Sequence, residues 1–198
     1  NIGKHSEWVR LYNAPGAMLI LCEMYFVTKG EKYLDNIMKL AEKYYSVGGK
    51  KCYANGLAIG KVIRAFRESG RKKDEERLME LFQTHVDNII SIGTYPPHEV
   101  IYEQTIVTPA VTHIAEMGRL RDDKEYYIRE AKRHLECLER FSGMQPDYHL
   151  NEIAIRFWDD YWFGKNRTKG DTLPHHLSVL TARAYIAYSL LSGEKKWM

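Results

Sequence analysis

The sequence is poor in cysteine and has neither a long apolar run nor a strong charge of either sign. Three cysteines among 198 residues, an odd number without zinc-site spacing, argue against a disulfide framework or a cysteine-bound metal. The apolar run at 17–27 carries Glu23 and is too short to span a membrane. A net charge of +3 without a basic stripe excludes a nucleic-acid footprint. We therefore expect neither nucleic acid nor a membrane as partner.

The sequence also lacks motifs that indicate a metal site or a cofactor site. The sequences "PHH" (174–176) and "DYH" (147–149) have no third ligand at helical spacing, so no metal site is expected. The glycines of "GKNRTKG" (164–170) lack the strand–turn–helix pattern of a phosphate loop, and no nucleophile-elbow sequence is present. No cofactor is expected.

The composition is that of a globular chain with many aromatic residues. Hydrophobic residues make up 44% and charged residues 28%, which excludes a disordered protein. The aromatic residues include 14 Tyr and 4 Trp. Their flat apolar faces and polar edges suit sugar rings, although they also fill protein cores.

Glycine and proline divide the chain into segments with helical periodicity. Helices are predicted at 15–29, 31–46, 54–69, 72–91, 102–117, 122–142 and 177–192. Four of them stop at a glycine followed by charged residues: Gly30, Gly70, Gly118 and Gly193. A helical hairpin repeated at roughly 40–50 residues indicates a solenoid or a closed toroid.

The two helices of each predicted hairpin differ in character. The first is apolar on most sides, whereas the second is amphipathic, as shown by the stripe of Leu78, Leu81, Phe82, His85 and Val86. Apolar inner helices and amphipathic outer helices are typical of an all-α, two-layered α/α toroid, with a superhelical solenoid as the alternative. Residues 1–198 are expected to form one such domain, or part of one, with three hairpins and the start of a fourth.

Aromatic and polar residues precede the predicted inner helices, whereas the loops at the opposite ends are short and carry glycine and charges. We expect the loops before the inner helices to share one mouth and to bind substrate there. The substrate-binding candidates are Tyr12, Tyr53, Asn55, His98, Tyr102, Gln104, His149, Trp158, Tyr161, Trp162, Lys165, His175 and His176. Three further histidines, His85, His113 and His134, lie within predicted helices and are expected to be structural.

Four carboxylates fall in the same loops and are the candidate catalytic residues. Glycoside hydrolysis needs an acid and a base or nucleophile, and we pair Glu103 with one of Asp159, Asp160 or Asp171. Structural roles are open for two of them: Glu103 stabilising a helix N-terminus and Asp171 capping the helix after Pro174.

The stretch "PDYHLNEIAIRFWDDYWFGK", followed by "GDTLPHHLSVLTARAYIAYSLLSGEKKW", resembles segments of the six-hairpin glycosidase-like superfamily, as does "VIYEQTIVTPAV". This superfamily includes unsaturated glucuronyl hydrolases and some polysaccharide lyases. The resemblance implies a carbohydrate-active enzyme with an oligosaccharide substrate. We expect a glycoside hydrolase acting on uronic-acid-containing or other oligosaccharides. The alternatives are a polysaccharide lyase on uronic acids and a non-catalytic helical-repeat module.

The repeat count departs from the superfamily pattern, because a closed ring of this type has six hairpins. The chain is therefore expected to be a fragment of a longer protein, or an incomplete ring that other hairpins or a second copy complete. Such a ring leaves an open apolar edge. A chain that opens at Asn1 is expected to be processed or truncated, so localisation stays open between the bacterial cytoplasm and export.

Overall fold

The computed structural model describes residues 11–94, 104–139, 156–158, 161–163 and 178–195. Within these residues the helices are α1 (Asn13–Thr28), α2 (Glu31–Ser46), α3 (Ile59–Ser69), α4 (Lys72–Ile92), α5 (Gln104–Gly118), α6 (Lys124–Glu139) and α7 (Ser178–Ser192). A short 3-10 turn covers Gly49–Lys51, and the strands are β1 (Arg156–Trp158) and β2 (Tyr161–Phe163). The prediction of an all-α fold of helical hairpins is confirmed.

Helix boundaries agree with the sequence pattern except where tertiary packing overrides it. The predicted and observed bounds of α2 are the same, and those of α4 differ by one residue. In contrast, α3 begins at Ile59, five residues later than expected, because 54–58 forms a turn. The end of α1 also differs: Lys29, not Gly30, adopts the left-handed conformation, and its N–H donates to Tyr25 O.

The described residues divide into two compact units, 1–85 and 86–198, and α4 continues from the first into the second. In the first unit, α1 packs against both α2 and α3. In the second unit, α5 packs against both α6 and α7. Each unit thus combines a contact within a hairpin with a contact between the first helices of two successive hairpins, as the repeat predicts.

The outer helices bury one stripe each and expose the rest. In α2 the buried residues are Leu34, Ile37, Ala41 and Tyr44. On α4 the predicted stripe is confirmed, with Leu78, Phe82, His85 and Val86 buried and Leu81 half-buried. Exposed ion pairs also join α2 to α4, and the guanidinium of Arg77 is bidentate to Glu42 at 2.7 and 3.1 Å. Exposed pairs of this kind contribute little, so apolar burial holds the two helices together.

A buried polar network holds the segment 52–58, which leads into α3. The Tyr44 hydroxyl donates to Cys52 O at 3.5 Å, and the Tyr45 hydroxyl lies 3.1 Å from His85 Nδ1. A hydrogen bond to the Cys52 backbone also reaches the His85 ring. Burial of this ring lowers the pKa of His85 from 6.5 to about 4. His85 is therefore neutral at pH 7 and acts as a core residue, as expected from the sequence.

The segment 52–58 lies directly on the first turn of α1. A Cβ atom on Gly56 would lie 2.9 Å from Gly16 N and 3.0 Å from Gly16 Cα. Only a glycine at position 56 permits this approach of two backbones. The contact brings the N-terminal ends of α1 and α3 together, and α1 and α3 therefore run parallel from one end of the first unit.

The second unit is built around α5. From Thr108 to Gly118 each of its residues is buried except Glu116, which is half-buried and lies 3.4 Å from Arg183 of α7. Gly118 allows α6 to approach, since a Cβ there would collide with the Tyr127 side chain. His113 and His134 are buried as expected, and His134 Nδ1 lies 2.8 Å from Glu130 O. An inner helix enclosed on most sides is what the apolar first-helix pattern predicts.

The Gly56–Gly16 contact predicts opposite effects for two alanine substitutions. Gly56→Ala is expected to lower the free energy of unfolding by about 1–3 kcal/mol, because two backbone segments must separate. Gly16→Ala is the matched control: its Cβ meets nothing within 4 Å, and alanine favours a helix by up to about 1 kcal/mol. Urea denaturation of both variants measures the difference. Equal stabilities would contradict the contact.

The buried His85 predicts a specific loss of stability in acid. Its pKa is about 4 in the folded chain against 6.5 in the reference state, so protonation favours unfolding. The contribution is complete above pH 6.5 and falls as pH drops towards 4, by roughly 3 kcal/mol in total. His85→Gln should show a smaller loss over this window in denaturation experiments. An NMR titration of wild-type His85 with a pKa near 6.5 would contradict the prediction.

Candidate functional site

The first unit contains a rim where two of the predicted substrate-binding loops meet. Leu11 and Ala14, at the start of α1, pack against the buried cluster of Tyr44, Cys52 and Ala54. Together with the Gly56–Gly16 contact, this packing places the loop before α3 against the loop before α1. The prediction that loops before inner helices share one end therefore holds for these two loops.

We define the rim by four residues: Tyr12, Asn13, Tyr53 and Asn55. Tyr12 is 73% exposed, so most of its ring face is open to solvent. The Asn13 side chain is exposed and that of Asn55 half-buried. An open aromatic face beside two amides offers stacking and hydrogen bonding, which are the contacts that a sugar ring uses. Sequence reasoning did not include Asn13 among the candidates, although it stands beside Tyr12 in the same motif.

Tyr53 differs from the rest of the rim because it is buried. Only 4% of its surface is exposed, and this burial raises the pKa of Tyr53 from 10 to about 12. Its hydroxyl therefore keeps its proton at neutral pH and is unsuited to abstract one. Tyr53 can therefore act as a neutral hydrogen-bonding group or as a packing residue. Its contact with substrate stays a prediction.

The opposite ends of α1 and α3 have a different chemistry. Lys29 follows α1 and lies 3.5 Å from Glu68 of α3, and its ammonium also lies 5.3 Å from the Tyr25 ring centre. Arg71, which follows α3, pairs with Asp35 and Asp74, each at 2.7 Å. These charges are paired with one another, whereas the rim carries exposed neutral polar groups. The sequence analysis predicted aromatic residues and carboxylates at one end of the hairpins, and the four carboxylates lie outside the described residues.

The aromatic-rich segment that follows α6 contains a small β-hairpin. β1 and β2 are antiparallel, with Arg156 paired to Phe163, Phe157 to Trp162 and Trp158 to Tyr161. The sequence analysis predicts only helices and no strand in this segment, so this element was missed. Two three-residue runs rich in aromatics were the available signal, because aromatic residues favour strands. Of the predicted site residues, Trp158, Tyr161 and Trp162 lie in this hairpin, and Gln104 is the first residue of α5.

The remaining predicted site residues lie outside the described part of the chain. These residues are Glu103, Asp159, Asp160, Asp171, His98, Tyr102, His149, Lys165, His175 and His176. Their catalytic and substrate-binding roles stay predictions.

Among the described residues, no group of three or more His, Cys, Asp or Glu side chains is arranged to hold a metal ion. The three cysteines are buried thiols, and burial raises the pKa of Cys22 to about 12. A thiol with so high a pKa is a poor nucleophile at neutral pH. No helix in the described ranges has the length and apolar character needed to cross a membrane.

Comparison with known proteins gives a match among solved structures. No family model matches the sequence, and no curated protein matches it. The chain is similar to a structure named Polysaccharide Lyase BACCELL_00875, with 36% sequence identity and a TM-score of 0.79. The match covers 98% of this chain and 29% of that chain. The chain thus shares its helical fold with a segment of a polysaccharide lyase and spans less than a third of that protein's length.

Proposed function

We propose that the chain belongs to a carbohydrate-active enzyme that cleaves uronic-acid-containing polysaccharides by β-elimination. The observation that carries the proposal is its likeness to a polysaccharide lyase at 36% identity over 98% of the chain. An identity of this size over nearly every helix supports a shared type of chemistry more than a shared fold alone would. This similarity favours a lyase, the alternative in the sequence analysis, over the glycoside hydrolase that was expected there.

The proposed reaction requires three functions from the protein. A base removes the proton on the carbon next to the uronate carboxylate, and the C–H electron pair forms a carbon–carbon double bond. The glycosidic C–O bond on the neighbouring carbon breaks, and the leaving oxygen takes up a proton. A cation or hydrogen-bond donor must neutralise the carboxylate, since this lowers the energy of the carbanion-like transition state.

The sequence supplies candidates for the base and for the cation. His98, Tyr102 and Tyr161 are the candidate bases, because a histidine or tyrosine can accept a proton when its pKa is suitably placed. The candidates for binding the carboxylate are Arg10, Lys165, Arg167 and His175, and either arginine would allow a bidentate contact. Each stands in a segment that the sequence analysis assigns to the mouth.

The rim supplies a sugar subsite in this proposal. The 73% exposed ring of Tyr12 is the stacking surface, and the amides of Asn13 and Asn55 bind sugar hydroxyls. None of these groups changes charge near neutral pH, so the rim contributes binding rather than proton transfer. Tyr53, the buried member of the rim, keeps its hydroxyl protonated.

A glycoside hydrolase remains the second candidate because of the carboxylates. Asp159 and Asp160 stand in the sequence between Trp158 and Tyr161, which pair across the β-hairpin. A carboxyl group among aromatic rings has a raised pKa and suits the role of a general acid. With Glu103 as its partner, one of these aspartates would complete a hydrolytic pair.

Product chemistry is expected to identify the reaction as elimination. Incubation of the protein with acidic polysaccharides should release ends that absorb in the near ultraviolet, because the double bond is conjugated with the carboxylate. Elimination leaves the glycosidic oxygen on the new reducing end and adds no water, so products sampled from ¹⁸O-labelled water faster than this end exchanges its oxygen should contain no label. New reducing ends that carry ¹⁸O and lack the absorbance would show hydrolysis and refute the proposal.

Substitutions are expected to show whether the candidate bases of a lyase or the candidate carboxylates of a hydrolase are needed for turnover. If Tyr102 is the base, Tyr102→Phe should lower kcat by about 10²–10⁴-fold, and His98→Ala tests the other base by the same measure. Glu103→Gln and Asp159→Asn should leave kcat within a few fold. Tyr33→Phe on the outer helix α2 is the matched control and should leave kcat unchanged. A collapse of activity in the two carboxylate variants alone would favour the hydrolase.

A further inference from the structure

His85 is a polar residue on the otherwise apolar buried stripe of α4. It is fully buried, as are Leu78 and Phe82 on the same stripe. A leucine or phenylalanine at position 85 would continue the stripe without the cost of removing polar ring nitrogens from water. The presence of a histidine therefore calls for an explanation in its hydrogen bonds rather than in its packing.

The backbone carbonyl of Cys52 is the group that the His85 ring reaches. The Cys52 N–H already donates to Gly49 O at 2.9 Å, and the Tyr44 hydroxyl donates to the Cys52 carbonyl at 3.5 Å. Burial lowers the pKa of His85, and its bond to the Cys52 backbone opposes this shift, as a bond donated to a carbonyl does. Two donors from two different helices thus meet at one carbonyl.

The Tyr45 hydroxyl fixes which nitrogen of the His85 ring carries the proton. This hydroxyl lies 3.1 Å from Nδ1, and because burial raises the pKa of Tyr45, it keeps its proton and can donate it. A neutral imidazole has one donor and one acceptor nitrogen. With Nδ1 as the acceptor, the N–H is on Nε2 and is the donor for Cys52. In the other tautomer Nε2 and the carbonyl would both be acceptors, and no bond could join them.

The position of the Cys52 carbonyl affects two residues of the rim. Tyr53 follows Cys52 directly, and Asn55 stands three residues after it. The chain turns at this point, since the Leu57 N–H donates to Ala54 O at 3.3 Å, and Ala54 belongs to the same buried cluster as Cys52. A shift of the Cys52 carbonyl would therefore displace the rim side chains that follow it.

We propose that His85 is a positioning residue for substrate binding: its Nε2–H holds the Cys52 carbonyl and thereby places Tyr53 and Asn55 at the rim. Tyr45 supports it by fixing the tautomer of the ring. The inference rests on the proposed sugar-binding role of the rim, and it assigns a part in binding to a fully buried side chain on an outer helix. An apolar side chain of similar size would fill the same space but would not direct the carbonyl.

The first test is made on the free protein. ¹⁵N chemical shifts of the His85 ring should show that Nε2 is protonated at neutral pH and Nδ1 is not. In His85→Leu the Leu57 amide should exchange about tenfold faster relative to amides within α2, because the segment loses one hydrogen bond. His85→Gln carries an amide N–H where histidine has Nε2, and it should restore the wild-type ratio.

Leu78→Ala is the stability control for both tests. It removes buried apolar surface from the same stripe of α4 and leaves the hydrogen bonds at Cys52 intact. The ratio of exchange rates at Leu57 and within α2 should therefore stay at the wild-type value in this variant. Circular dichroism shows whether each variant is folded.

The second test measures binding, with oligogalacturonate and oligoglucuronate as probes. His85→Leu should weaken binding about tenfold, whereas His85→Gln and Leu78→Ala should bind like the wild type. On a polysaccharide that the protein cleaves, the loss in His85→Leu should appear in KM while kcat changes little, since the candidate bases and cations stand in other segments.

Three outcomes would overturn the proposal. One is an Nδ1–H tautomer of His85, and another is a wild-type exchange ratio at Leu57 in His85→Leu. The third is equal weakening of binding by His85→Leu and Leu78→Ala, because the loss would then follow stability alone. If the wild type has the expected tautomer and exchange but binds neither probe, the failure lies in the proposed sugar-binding function and not in the hydrogen bond from His85.

Discussion

The close approach of two backbones at Gly56 and Gly16 is the constraint on which the first unit and its rim depend. It sets the segment before α3 against the first turn of α1, so both inner helices begin at one end. Side chains from both loops then share one surface. Without this contact Tyr12 and Asn55 would belong to separate loops, and no common rim would exist in this part of the chain.

Side chains of α2 and α4 stabilise the position of the segment 52–58. Tyr44 of α2 and His85 of α4 form hydrogen bonds with the buried backbone of Cys52. The Tyr45 hydroxyl in turn pairs with the His85 ring. Buried polar groups are costly unless they are paired, so this network favours one position of the segment 52–58. The outer layer therefore contributes to the rim without forming any of its surface.

Helix periodicity was a good guide to the fold because each helix buries a stripe that the sequence alone displays. The bounds of α2 and the buried side of α4 followed from that pattern. The start of α3 did not follow, because residues 54–58 contact α1, a partner distant in sequence. The hairpin of β1 and β2 was missed because its strands have only three residues each. In the rim, Tyr12 is exposed whereas Tyr53 is buried. The local sequence did not predict this difference, because no local pattern distinguishes an exposed tyrosine from a buried one.

Sugar binding at the rim is the central proposal, and hydrogen–deuterium exchange with and without ligand tests it most directly. A uronic-acid oligosaccharide should slow exchange in the segments 11–16 and 52–58 together, and a neutral oligosaccharide of equal length should protect them less. The turns at 29–30 and 70–71, at the opposite ends of α1 and α3, should exchange at unchanged rates. Protection at those turns, or no protection in either rim segment, would contradict the account.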